Sequence, residues 1–256
     1  MFFQDIKKNI RIYLLIAIGI FIKFYHLNLD DLWWDEMLSF WVSNPEINFE
    51  KTINRNIEVN LGSQLIFSFL LKIFFNIFGY NLDIARYLTI FIGILNIPLL
   101  IILVRKIRLE KSIELILVLF LFNSYLISYD YELRSYALFV LISLLSLIYF
   151  YDLLEKRNNK YLIIVSFINL IGILNHTFYG IIIFSQFIFL LINKNKFLIK
   201  YCYFQFFISI LFIMISKEAL IAQVTFSKMW YPKIGPGFLV DFYFPRFFSS
   251  KILGGL

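Results

Sequence analysis

Long apolar runs alternate with short basic clusters along this chain. The runs 12–27, 61–79, 86–104, 112–129, 134–151, 161–175, 179–192 and 200–216 carry few charges. Several approach the roughly 20 residues that an α-helix needs to cross a bilayer core. Backbone groups in lipid must be satisfied within the segment, which makes these runs helices. Two longer polar stretches interrupt the pattern: 28–60, rich in Asp, Glu, Asn and Trp, and 217–256, which holds Pro232, Pro236 and Pro245. The expected fold is all-α and polytopic, with residues 1–256 forming one transmembrane domain.

The basic clusters set the expected topology. They are Lys7/Lys8/Arg11, Arg105/Lys106/Arg108/Lys111, Lys156/Arg157/Lys160 and Lys194/Lys196/Lys200. If all the runs cross, the first cluster lies opposite the other three. If 61–79 does not cross, all four share one side. That run contains Gly62, Ser63, Gln64, Lys72 and Asn76, and is expected to lie in the interface or re-enter. The result is about seven crossings, with the N-terminus cytoplasmic and an outer loop over 28–85. The segment 217–256 is then also outside. Residues 161–192 are split at Asn175–Gly180, where polar groups and a glycine interrupt the run.

Composition sharpens this picture. Of 256 residues, 61% are hydrophobic and 16% charged, against about 45–50% and about 25% in an average soluble domain. The net charge of +7 invites a nucleic-acid partner, but its clustering between apolar runs fits cytoplasmic loops instead. A single cysteine, Cys202, excludes an internal disulfide and a cysteine metal site. The basic N-terminus resembles a signal peptide, but no small-residue cleavage site follows, so the first helix is expected to be retained.

Candidate chemistry sits where charge meets the predicted outer boundary. Asp35 and Glu36 follow Trp33 and Trp34 just after the first helix. Adjacent on a helix, the two carboxylates point about 100° apart and need not act as a pair. A solvated acidic loop with a tryptophan anchor is the competing reading. The second cluster, Asp130, Tyr131, Glu132, Arg134 and Tyr136, falls on the same predicted face, where an arginine suits a phosphate. Here the alternative is a plain turn. Arg86, His176 and Tyr179 are further candidates beside simple anchoring or packing roles.

In this order the motifs resemble the GT-C glycosyltransferases that use polyprenyl-phosphate sugars, namely the protein O-mannosyltransferase and lipid A aminoarabinose transferase superfamily. The resemblance rests on Trp34-Asp35-Glu36, on Phe78-Gly79 followed by Arg86, on Glu132, Arg134, Tyr136 and Leu138, and on His176, Tyr179 and Gly180. Where many relatives carry a His/Lys-Pro-Pro-Leu element, this chain has Val59-Asn60-Leu61-Gly62. The resemblance implies sugar transfer from a polyprenyl-phosphate donor to a lipid, glycan or protein acceptor on the outer face of the cell membrane. It implies Asp35 as base with Glu36 beside it, and Arg134 and then Arg86 on the donor phosphate. Asp130, Glu132, Tyr136, His176 and Tyr179 would orient substrate or metal. A divalent cation, magnesium or manganese, would sit on Asp35 and Glu132. Relatives are usually longer, so a fragment, a frameshifted copy or a minimal form is expected. A transporter or flippase, or a non-catalytic assembly partner, stays open as an alternative.

Overall fold

The computed structural model describes residues 2–25, 32–60 and 62–230. Of the expected outer segment 217–256, residues 231–256 lie outside the described residues. Every described regular element is helical: α1 (Phe2–Tyr25), α2 (Trp34–Val42), α3 (Phe49–Asn60), α4 (Leu65–Phe78), α5 (Leu82–Lys106), α6 (Ile113–Leu121), α7 (Ser124–Tyr131), α8 (Tyr136–Lys156), α9 (Asn159–Asn175), α10 (Gly180–Ile192) and α11 (Leu198–Trp230). Two short 3₁₀ turns, Glu110–Ser112 and Thr177–Tyr179, complete the set.

Three described helical segments are long and apolar enough to cross a membrane: Ile84–Lys106, Tyr136–Lys156 and Leu198–Ala222. A fourth exists if the bent pair α6–α7 counts as one span. The run 112–129, read above as one segment, breaks at Phe122–Asn123 with a bend of 55°. The cause is local: the Asn123 side chain accepts from the Leu126 backbone N–H at 3.1 Å and starts a new helix. α9 and α10 separate at His176, inside the interval where polar groups and Gly180 interrupt the apolar pattern.

α4 is only 14 residues long, about 21 Å at 1.5 Å per residue, and falls short of a bilayer core. Its face of Phe67, Leu71 and Phe75 packs into a core with Leu88 and Ile92 of α5, Leu138 and Ile142 of α8, and Tyr179. The loop before α3 is fastened to α4 by Lys72, whose ammonium donates to the carbonyls of Asn44 (2.6 Å) and Ile47 (2.5 Å). Phe40 of α2 stacks on Tyr80 at 4.0 Å, and Arg55 lies 4.0 Å over Trp41. These contacts hold α2, which has no long apolar face of its own, against the bundle.

Polar contacts inside the bundle join its helices. Lys23 of α1 and Asp130 of α7 form a buried ion pair, and the Tyr131 hydroxyl donates to the Ile22 carbonyl at 2.5 Å beside it. Gly93 of α5 makes room for that pair: a Cβ there would sit 2.3 Å from an Asp130 carboxylate oxygen. Deeper in, Asn169 joins Ser146 (2.8 Å), Gln186 (3.0 Å) and Tyr179 (3.3 Å), tying α8, α9 and α10 together. Uncharged groups satisfied by one another are one form in which polarity persists in a membrane bundle.

α11 runs on to Trp230, past the boundary at residue 216 suggested by Lys217 and Glu218. Ala219 on this extension lies against Gly62, whose φ of +73° and lack of a side chain allow the approach. The first helix-breaking residue after Leu198 is Pro232, so nothing in the sequence stops the helix earlier.

Candidate active site

The adjacent carboxylates of α2 have different fates. Glu36 is buried, with its side chain 2% exposed, and it accepts from four donors. They are the Leu133 backbone N–H (2.7 Å), Arg86 Nη2 (2.9 Å), Arg86 Nε (3.2 Å) and the Trp33 backbone N–H (3.2 Å). One carboxylate therefore caps α2, pairs with α5 and fastens the strand of chain that leads into α8. With its acceptor positions taken, Glu36 has no free lone pair with which to take a substrate proton. Asp35, one residue earlier, keeps 37% of its side chain exposed.

Arg134 stands next to Asp35. Its guanidinium lies 3.9 Å from the Asp35 carboxylate and donates to the Asp35 carbonyl (3.2 Å) and the Asn60 side-chain oxygen (3.0 Å). Arg134 Nε and Asn60 Nδ2 are buried donors with no partner among the described residues. Unsatisfied buried donors beside an arginine are what an anion would complete. Tyr136, two residues further on, opens α8 beside this guanidinium.

Gln64 sets the corner between α3 and α4. It adopts a left-handed conformation, φ 67°, uncommon for a residue with a side chain. Its backbone N–H donates to the Asn175 carbonyl at 2.9 Å, and its side-chain oxygen accepts from the Ser135 N–H at 3.2 Å. The turn after α9 is thereby fixed to the start of α8, next to Arg134.

The other sequence candidates are dispersed. Asp130 is spent on Lys23 inside the bundle. Tyr179 is fully buried, with its hydroxyl on Asn169 rather than at the α2 face. Glu132 accepts from Ser128 at 3.3 Å on the surface. His176 lies with its ring 6.1 Å from that of Tyr136, and its Nδ1 accepts from the Phe178 N–H at 3.2 Å. Asn60, Gln64 and Ser39 were not singled out from sequence, yet all three contact the Arg134 segment. The signals available were their polarity next to apolar helices and, for Asn60, its place in Val59-Asn60-Leu61-Gly62.

The family described as dolichyl-phosphate-mannose-protein mannosyltransferase matches residues 64–219, more than half of the chain. The chain belongs to this family. It is accordingly a membrane glycosyltransferase of the GT-C type. No curated protein and no solved structure matches it. Within this mannosyltransferase-family chain, Arg86, Arg134, Tyr136, His176 and Tyr179 fall inside the matched stretch, whereas Asp35 and Glu36 precede it.

Two properties bear on the chemistry of this glycosyltransferase. Among the described residues, no three His, Cys, Asp or Glu side chains converge, and the charged neighbour of Asp35 is a guanidinium. That donor set does not form a closed cage for a divalent cation. Burial, with a smaller contribution from the Arg134 charge, holds the His176 imidazole below its ordinary value of 6.5. Neutral histidine with Nδ1 accepting carries its proton on Nε2. Because the folded value lies below the unfolded one, this group's contribution is complete above about pH 6.5 and is lost as pH falls through the folded value. Unfolding midpoints followed from about pH 7 to about pH 5 should drop in the parent and drop less in His176→Gln. Equal slopes in the two proteins would count against this account.

Proposed function

We propose that this chain moves a sugar from a polyprenyl-phosphate-linked donor to a lipid, glycan or protein acceptor at the outer face of the cell membrane, with inversion at the anomeric carbon. The observation that carries the reading is the division of labour in α2. Glu36 is saturated, while the half-exposed Asp35 carboxylate faces Arg134 and its spare donors. The acceptor hydroxyl gives its proton to Asp35 as its oxygen bonds to the anomeric carbon. The bond from that carbon to the lipid phosphate breaks, and its electron pair stays on the phosphate oxygen, where Arg134 stabilises the charge. Arg86 acts through Glu36, as its counter-ion. One base attacking from the face opposite the leaving group gives inversion. A divalent cation, were one to take part, would be held by Asp35 and Glu132 and would offset charge on the donor phosphate.

The proposed topology has seven crossings, formed by α1, α5, the bent α6–α7 pair, α8, α9, α10 and α11, with α2–α4 in the outer interface. Its support is that all four basic clusters then lie on the cytoplasmic side. Reporter fusions at Arg108 and Arg157 should both read cytoplasmic; an outer reading at either overturns the arrangement. The activity is tested with the purified chain and polyprenyl-phosphate sugars. Release of free polyprenyl phosphate with acceptor glycosylation is expected, and Asp35→Ala should abolish it with folding intact. Full turnover in that variant overturns the assignment of the base. Sugar-lipid movement across vesicles without glycosidic-bond cleavage would favour a transporter instead.

A further inference from the structure

The end of the bundle remote from Asp35 carries a second charged site that the transfer reaction does not use. α8 begins next to Arg134 and reaches Lys156 after 21 residues, about 31 Å, a bilayer core away. There the turn between α8 and α9 and the turn between α10 and α11 line an open pocket of about 430 Å3. Four cations line it: Lys156, Arg157, Lys196 and Lys200.

These cations are poorly neutralised. Among the described residues, their one ion pair is Lys156 with Asp152 at 3.0 Å, and Lys106 shares that carboxylate at 2.6 Å. Arg157, Lys196 and Lys200 have no acidic partner among the described residues. The site is nevertheless organised. Lys196 and Lys200 both lie over the Phe197 ring, at 5.6 and 5.9 Å, and Lys200 donates to the Asn159 side chain at 3.3 Å. That last contact ties α11 to α9. Both helices begin at this pocket, α9 at Asn159 and α11 at Leu198, so two positive dipole ends add to the side-chain charge.

We propose that this pocket binds the phosphate of an anionic phospholipid head group in the adjoining leaflet, the cytoplasmic one under the topology given above. Phosphate is the chemistry that clustered Lys and Arg at helix N-termini recognise, and basic pockets between membrane helices hold such head groups. A lipid fits better than free phosphate because exposed apolar side chains stand on the two helices joined by the α10–α11 turn: Ile192 ends α10 and Ile199 lies in the first turn of α11, 72% and 69% exposed. Acyl chains can cover those side chains; an inorganic ion cannot.

The test uses the full chain in neutral detergent, with short-chain phosphatidylglycerol, phosphatidylcholine of the same tails and inorganic phosphate as separate probes. Binding is read by native mass spectrometry and thermophoresis. Phosphatidylglycerol should bind and phosphatidylcholine should not. The triple variant R157Q/K196Q/K200Q should lose about a hundredfold in phosphatidylglycerol affinity, from about 1 kcal/mol per charge. R108Q/K111Q, which removes two cations from the neighbouring turn between α5 and α6, should keep the parent's affinity. The three pocket positions are exposed, and circular dichroism checks the fold of each variant. Should the triple variant misfold, Lys196→Gln alone should still weaken binding about fivefold. Unchanged affinity in the pocket variants, or equal loss in R108Q/K111Q, overturns the site. Inorganic phosphate binding as tightly as phosphatidylglycerol overturns the lipid as its ligand. Because none of these readouts involves sugar transfer, the outcome is separable from that of the catalytic proposal.

Discussion

Asp35→Asn is expected to lower turnover by about 10²–10⁴-fold, the usual contribution of a positioned general base, and to leave the unfolding free energy unchanged. Glu36→Gln is expected to act first on stability. It removes the charge that faces Arg86 in a site where the two side chains are 2% and 12% exposed. Leaving one partner of a buried pair uncompensated costs about 3–5 kcal/mol. The substitution also weakens the acceptor that holds the Leu133 N–H, and so loosens the chain segment that carries Arg134. Turnover in Glu36→Gln should therefore fall together with stability and recover partly when the protein is stabilised, for example by cooling. The pair is measured by lipid-phosphate release and by denaturant unfolding of both variants. A fully stable Glu36→Gln protein with no turnover would transfer the role of base to Glu36.

The second large effect concerns the ion pair between α1 and α7. Lys23→Met should destabilise the protein by about 3–5 kcal/mol, because it strands the Asp130 carboxylate in an apolar interior. Asp130→Asn should do the same by stranding the ammonium. The double variant Lys23→Met/Asp130→Asn should recover most of the loss, since it removes both charges and leaves an amide of the original shape. Unfolding free energies of the four proteins close the cycle. Losses that simply add in the double variant would show that the two residues do not depend on each other.

Much of this was open to inspection in the sequence, for a physical reason. Charges in an apolar chain are costly, so those retained at a boundary stand out, as Asp35, Glu36, Arg86 and Arg134 do. What sequence could not supply was their partners. The contact between Glu36 and Arg86 spans 50 positions and that between Lys23 and Asp130 spans 107, so burial rather than spacing decides which carboxylate is free. Asp130 looked like a member of one cluster with Glu132 and Arg134, but it lies on α7, before the chain leaves the helix at Glu132, and its side chain meets Lys23 in the interior. Asn60 and Gln64 were hidden differently. Asn60 at the end of a polar stretch and Gln64 at the start of an interfacial run look solvated until the fold places them against Arg134 and Ser135. The helical extension of α11 was masked by Lys217 and Glu218, which read as the end of an apolar run but do not break a helix.

Gly93 acquires an unexpected weight from its place beside Asp130. The carboxylate occupies the volume that a methyl group would take, so the tolerance of this bundle for an ionised pair at that depth hangs on a single hydrogen atom on α5. Alanine, the mildest change available to a helix, would there act as an electrostatic mutation without carrying any charge. The chain's freedom to drift at an apparently blank position is thus bounded by a lysine and an aspartate it adjoins only in space.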